Sequence, residues 1–233
     1  MVTREFVPLI THPYFFIRRY LYKALKKHAT ALTGRLMDFG CGSKPYRELF
    51  NVDEYIGVDF QNEGHPHINE QIDVFYDGKH LPFADSYFDS VLCSEVFEHV
   101  FNLDEILQEI NRVLKEGGNI LITCPFVWNE HEVPFDFARY TRFALKSILA
   151  KNGFEIIEFE KTGNFFTTIT QLRVLYFHTV LYNRMRKLFL LRWLYKIFFV
   201  AIPNFAGLCL SKLLPAESSL YLNNVVLAKK KTV

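Results

Sequence analysis

The sequence predicts an α/β fold built on a parallel sheet. Two observations carry that expectation. Between residues 35 and 160, short apolar runs alternate with amphipathic stretches, the pattern of strands joined by crossover helices. The first run leads directly into a glycine-bearing turn, and the second run ends on an acid, as in folds that bind nucleotide-like ligands at the carboxyl edge of a sheet. With 233 residues, 50% apolar and 22% charged, the chain can bury the core of one large domain or of a domain with an appendage.

Taken in order, residues 13–28 read as a basic, aromatic helix bearing Arg18, Arg19, Lys23, Lys26 and Lys27 among Phe15, Phe16, Tyr20, Leu21, Tyr22 and Leu25. Strands are expected at 35–39, 55–59, around 72–75, and at 88–93, 119–124 and 154–160. Helices fit between them at 44–50, 103–115 and 142–151. The helix at 103–115 presents Leu103, Ile106, Leu107, Ile110, Val113 and Leu114 at helical spacing, with Gly117-Gly118 expected to end it. The helix at 142–151 has Thr141 as a candidate N-cap and Asn152-Gly153 as a left-handed stop. A last strand is expected at 220–228.

The stretch "RLMDFGCGSKPY" places Asp38 and then Gly40-Cys41-Gly42 between a strand and a helix. Glycine there lets the backbone come close to a ligand. A dinucleotide fingerprint would need glycine at position 45, where Pro45 stands, so a nicotinamide-dependent oxidoreductase is disfavoured. Asp59 lies about 20 residues on, at the end of the next strand, where a carboxylate can take both hydroxyls of a ribose. The pair points to an adenosine-type ligand. Asp38 could instead cap the following turn, and Asp77 could be a turn residue before Gly78. Cys41 reads as a small loop filler.

The ordered set "LMDFGCGSKPY", "YIGVDF", "DGKHLPFADSYFDSVLCSEVFEHV" and "LQEINRVLKEGGNILITCPF" resembles class I S-adenosylmethionine-dependent methyltransferases. The likeness is greatest to the type 11 subgroup of quinone-biosynthesis and polysaccharide-locus enzymes. It covers about residues 33–160, with 220–229 as the closing strand. The resemblance implies a Rossmann-like sheet of seven strands in the order 3-2-1-4-5-7-6, the seventh antiparallel. It implies S-adenosyl-L-methionine as cofactor and assigns roles around it. Gly40, Cys41 and Gly42 would wrap the methionine part, with Asp38 near its amino group. Asp59 would take the ribose, Phe60 would lie near the adenine, and Asp77 and the Gly78 amide would meet its edge. Ser94 and Glu95 would border the methionine and the acceptor. Many relatives carry a further glycine where this chain has Lys44, which allows a different path for the loop. A fold retained only for binding is the alternative to an enzyme.

Methyl transfer is an in-line displacement, so the protein must align the partners and, for a hydroxyl or amine acceptor, remove a proton. "WNEHEVPFDFARYT" follows strand five. His131 has the ordinary pKa of a base near neutrality, and Glu95 is a second catalytic candidate. Asp136, Arg139 and Tyr140 are candidates for acceptor binding, with a local Asp136–Arg139 ion pair as the alternative. His99 reads as structural. The spacing of histidine and acids matches no standard metal signature, so no metal is expected.

Charge divides the chain. From residue 162 to 216 there is no acid, but there are Arg173, Arg184, Arg186, Lys187, Arg192, Lys196 and Lys212, a charge of +7 that leaves −5 for the remainder of a chain of net +2. The expected organisation is an N-terminal helical cap at 1–32, a methyltransferase domain at 33–161 plus 217–233, and a basic, apolar helical insertion at 162–216. The insertion has no charge from 197 to 211 but contains Pro203, whereas a spanning helix needs about 20 apolar residues. Two or three amphipathic helices broken at Pro203 are therefore expected, packing as core, lid or dimer-forming helices or touching a membrane surface. Nucleic acid is not an expected partner. Four scattered cysteines and the lack of a basic–apolar–small N-terminal pattern suggest a cytoplasmic location, with the inner membrane face allowed. The expected acceptor is a small or lipid-linked molecule, first a glycan or glycolipid precursor, then a quinone-like isoprenoid.

Overall fold

The structure is a computed structural model and describes residues 8–60, 70–185 and 188–232. The chain divides into two compact units. Of the described residues, the first comprises 24–60, 70–160 and 224–232, and the second comprises 8–23, 161–185 and 188–223.

The first unit holds the sheet. Helix α1 (Phe15–His28) ends in it, and β1 (Arg35–Phe39), β2 (Glu54–Phe60), β3 (Val74–Tyr76), β4 (Phe88–Ser94), α2 (Leu103–Val113), β5 (Leu114–Pro125), α3 (Arg142–Lys151), β6 (Phe154–Thr162) and β7 (Asn223–Lys230) follow. The seven strands stand in the order β3-β2-β1-β4-β5-β7-β6, as the resemblance implied. β1 pairs in parallel with β2 and β4, and β4 with β5. Leu222 N–H bonds the Thr162 carbonyl and Lys231 N–H bonds the Gly153 carbonyl, so β7 runs against β6. β1, β4 and the second half of β5 bury nearly every residue, as in sheets covered on both faces. α2 sends Leu103, Ile106, Leu107, Ile110 and Val113 into the core, and Thr141 caps α3 by accepting from the Ala144 N–H at 3.2 Å.

Several boundaries differ from expectation. The helix expected at 44–50 is only a 3-10 turn at Arg47–Leu49. Lys44 sits at φ 52, and that left-handed residue followed by Pro45 cannot begin an α-helix. α2 stops at Val113, and Gly117-Gly118 lies within β5, where the register against β4 shifts. A Cβ on Gly118 would fall 2.9 Å from the Asp89 carbonyl oxygen, so the glycine permits close strand approach rather than ending a helix.

The second unit is built from the start of α1, α4 (Phe165–Met185), α5 (Phe189–Tyr195), a π-turn (Lys196–Ala201) and α6 (Ile202–Leu213). The break expected at Pro203 does not occur. A single helix runs from Phe189 to Leu213, and the π-turn re-registers its ladder just before Pro203, which enters at the first turn of α6. The missing N–H thus falls at a junction instead of mid-helix. Among the described residues this helix is long and apolar enough to cross a membrane by length and composition, and few of its residues are buried.

Besides an apolar core of Val174, Tyr195 and Val200, the unit buries polar side chains and exposes large apolar ones. Thr167, Thr168, Gln171 and Asn204 are fully buried, whereas Phe189, Trp193, Phe198, Ile202, Phe205 and Leu213 are at least half exposed. The buried polar groups have uses: Gln171 Oε1 accepts from the Phe16 N–H at 3.0 Å, and its Nε2 donates to the Pro13 carbonyl at 2.7 Å. The bond from the Phe16 N–H satisfies an orphan donor at the start of α1. Asn204 donates to the Ile10 carbonyl at 2.8 Å. Of the basic residues in this stretch, Arg186 and Lys187 lie outside the described residues.

Candidate active site

The turn after β1 is built by left-handed residues. Gly40, Gly42 and Lys44 take φ 70, 44 and 52, and the Gly40 N–H folds back to the Val58 carbonyl at 2.8 Å. A side chain at Gly40 would place Cβ 2.4 Å from Val96 Cγ2. Lys44 holds a left-handed conformation that glycine adopts more readily. Its ammonium leaves the turn for Asp73 at 2.6 Å, and the lysine stem passes where a Cβ on Gly57 would be.

Asp59 staples this turn to β2. Its Oδ2 accepts from the Gly42 N–H and its Oδ1 from the Phe60 N–H, both at 2.8 Å. Asp38 lies beneath, buried, and accepts from the Tyr55 hydroxyl at 2.5 Å. Burial raises its pKa to about 7, against the opposing pull of the Tyr55 bond. Cys41 is buried too, and burial pushes its thiol far above the usual range, as suits a filler rather than a nucleophile.

At the β3 end, Asp77 Oδ1 accepts from the Lys79 and His80 N–H groups at 2.8 and 2.6 Å, which hold its carboxyl below the usual range. Gly78 sits at φ 83, and a Cβ there would be 3.0 Å from the Phe60 ring. Phe60 and Gly78, assigned to one ring system by resemblance, are thus neighbours.

β4 and β5 end side by side. Glu95 stands at φ 57, a left-handed position costly for a non-glycine residue. It is held by the Thr123 carbonyl, to which its N–H donates at 2.9 Å, and by the Thr123 hydroxyl, which donates to its Oε1 at 2.8 Å. Ser94 Oγ lies 3.1 Å from the same hydroxyl.

The loop after β5 folds over the 3-10 turn Phe97–His99. The Glu98 carbonyl accepts from the Phe137 and Ala138 N–H groups at 2.8 and 3.2 Å. Asp136 and Arg139 form a two-pronged ion pair at 2.5 and 2.7 Å. That pair holds the Asp136 carboxyl down at about 2 despite its burial. The Arg139 fork is thereby committed within the loop, and the Tyr140 carbonyl receives Asn224 Nδ2 at 2.8 Å while its ring packs on the core. His131 Nδ1 lies 3.3 Å from Asp136 Oδ2, and its Nε2 faces His99 Nε2 at 3.2 Å. Burial and the neighbouring His99 lower the His131 pKa. Glu98, next to them, is fully buried, and burial, then the charge of Glu95, raises its pKa well above the usual range. The sequence offered no signal for Glu98, and none for pairing His99 with a histidine 32 positions away.

Residues 37–122 match a family model described as "Methyltransferase domain", and this stretch carries such a domain. An uncharacterised protein of Methanocaldococcus jannaschii is 36% identical over 103 residues, which are 43% of this chain and 48% of that protein. A demethylmenaquinone methyltransferase of Thermobifida fusca is 46% identical over 50 residues, 22% of this chain and 21% of that enzyme. The chain therefore spans half or less of the length of these curated relatives. Among solved structures, phosphoethanolamine N-methyltransferase 2 of Haemonchus contortus in complex with S-adenosyl-L-methionine is similar at a TM-score of 0.55 and 18% identity, over 92% of this chain and 52% of that one. The fold is the Rossmann-like class I methyltransferase fold.

Proposed function

We propose that this chain is an S-adenosylmethionine-dependent methyltransferase acting on a small or lipid-linked acceptor at a membrane surface, with a glycan or glycolipid precursor as the first candidate. The observation that carries the cofactor reading is the left-handed Gly40–Gly42 turn stapled to the Asp59 carboxylate at 2.8 Å. Among the described residues a Cβ on Gly42 would meet only the Glu70 carboxylate, at 3.5 Å, which suits close approach of a ligand to the backbone there. In this reading Asp59 binds the ribose hydroxyls, Phe60 and Gly78 flank the adenine, Asp77 meets its edge, and buried Asp38 faces the cofactor's ammonium. Cys41, Ser94 and Glu95 line the methionine end.

When bound, the cofactor supplies a methyl group already activated by a sulfonium. The chain's own task is alignment, and proton removal where the acceptor is a hydroxyl or amine. His131, neutral at physiological pH because its pKa is lowered, and Glu95 are the groups offered for that proton. The committed Asp136–Arg139 pair shapes the loop that would receive the acceptor. Calorimetric titration with S-adenosylmethionine tests the reading, and no heat of binding at millimolar cofactor would sink it.

The membrane part rests on the second unit. Exposed Phe189, Trp193, Phe198, Ile202, Phe205 and Leu213 share a helix with Arg192, Lys196 and Lys212, with no acid anywhere from 162 to 216. Apolar residues exposed alongside unopposed cations fit the headgroup region of an anionic bilayer. Buried Tyr195, Val200 and Asn204 keep one face of the helix on its own unit, which favours lying on the surface over crossing. Co-sedimentation with phosphatidylglycerol vesicles at low salt, with release at high salt, is the expected result. No binding at low salt removes the membrane reading, and binding that resists both salt and alkaline carbonate replaces it with a span.

Likeness to a demethylmenaquinone methyltransferase over 50 residues supports a second reading, a quinone-like isoprenoid acceptor. Methyl label supplied with the chain to a cell extract separates the two by the class of product that becomes labelled.

A further inference from the structure

We propose that Glu98, His99 and His131 form a binding site for a divalent transition metal, with zinc the best match and Glu132 at its edge. One ligand atom of each of the first three lies within 4.8 Å of the others. The two imidazoles meet through Nε2 at 3.2 Å. Each Nδ1 is turned to acceptors: His99 Nδ1 lies 2.9 Å from the Phe135 carbonyl, and His131 Nδ1 lies 3.3 Å from both the Asn129 carbonyl and Asp136 Oδ2. Carbonyl and carboxylate oxygens can only accept, so both Nδ1 atoms carry hydrogen. The neutral rings then point two bare lone pairs at each other, an arrangement that a metal ion or a shared proton between them relieves.

The geometry suits a metal. Two nitrogens each about 2.0–2.1 Å from a tetrahedral zinc stand roughly 3.3 Å apart. Nδ1–H bonded to a backbone carbonyl or a carboxylate is also the second-shell pattern that fixes metal-binding histidines. Carboxylate oxygens are at hand, with Glu98 Oε1 at 3.9 Å and Glu132 Oε2 at 3.8 Å from His99 Nε2. Both Glu98 oxygens are buried without a hydrogen-bond partner among the described residues, an arrangement that a metal ligand explains. In the other candidate cluster among the described residues, His28 with Glu158 and Glu160, both glutamates are already bonded by Lys27. Two histidines and one carboxylate leave a position open for oxygen. With Nδ1 protonated and Nε2 on the metal, His131 has no free lone pair, so Glu95 alone is then left to take the acceptor's proton. Only the further step, that the open position takes the acceptor's hydroxyl, rests on the proposed methyl transfer.

The test uses chelator-treated full-length chain titrated with Co²⁺. One equivalent should bind with strong visible absorption. His99→Ala and His131→Ala should abolish the band, Glu98→Gln should weaken binding at least tenfold, and His28→Ala should leave it unchanged. Circular dichroism in chelator establishes that each variant is folded, and His131→Asn replaces any variant that is not. No stoichiometric uptake by the parent chain means a shared proton joins the histidines and overturns the proposal, as does a band lost in His28→Ala or kept in His131→Ala. Cofactor titration of the same sample reads the methyltransferase proposal separately.

Discussion

Asp38 is a buried carboxylate whose removal should stabilise the chain above neutral pH while harming its proposed function. Its pKa in the fold is about 7 against an ordinary 3.8, so its ionised form is disfavoured by roughly 4 kcal/mol. A raised pKa means the folded state binds the proton more tightly. Its stabilising effect is complete below pH 3.8, falls as pH rises, and is gone once pH has passed about 7. Between pH 5 and 8 the parent chain should lose about 2–3 kcal/mol from this residue alone. Asp38→Asn does not titrate and keeps an oxygen to accept from Tyr55, although its new amide N–H₂ costs about 1–3 kcal/mol if unpartnered. The stability difference should therefore swing toward the variant by about 2–3 kcal/mol across that range, or roughly 5–10 °C in melting temperature. Thermal melts of both proteins without cofactor, at pH 5 and pH 8, measure this. Parallel pH profiles would refute the reasoning, because they would show that Asp38 does not titrate in that window. The same argument links cofactor binding to proton release: a cofactor ammonium beside Asp38 draws it back to its ionised form. Affinity should accordingly rise with pH from about 6 to 8, and Asp38→Asn should lose that dependence.

Two other substitutions probe the same cradle. Gly40→Ala forces a Cβ into a left-handed position 2.4 Å from Val96 Cγ2, at a cost of about 2–4 kcal/mol in chemical denaturation. Adding Val96→Ala should return the steric share but not the backbone share, and full recovery would show that the conformation of Gly40 is not strained. Asp59→Asn removes the charge that receives the Gly42 and Phe60 amides, and should weaken S-adenosylmethionine binding by roughly 10–100-fold in calorimetry. An unchanged affinity would remove Asp59 from the proposed site. At the second unit, Trp193→Glu together with Phe198→Glu should abolish low-salt vesicle binding while cofactor affinity stays within about twofold. Retained vesicle binding would move the membrane face elsewhere.

What could be read in the sequence was whatever short-range pattern encodes. Period-2 and period-3.6 hydrophobicity placed the strands and α2, and the strand–Gly-x-Gly–strand–Asp order brought Gly40, Gly42 and Asp59 to one edge. These depend on neighbours a few residues apart or on the fixed order of a recurrent sheet. Tertiary structure decided the rest. The 44–50 helix failed because Lys44 takes a left-handed conformation, and the long helix survived Pro203 because a π-turn absorbs the mismatch. The sequence showed that 162–216 lacks acids, but only the structure showed Phe189, Phe198 and Phe205 outside and Thr167 and Thr168 inside, since burial is set by packing rather than by composition. The Glu98–His99–His131 cluster matched no spacing signature because a turn after β4 and a loop after β5 bring its members together across the sheet edge. Local chemistry was written along the chain, and juxtaposition waited on the fold.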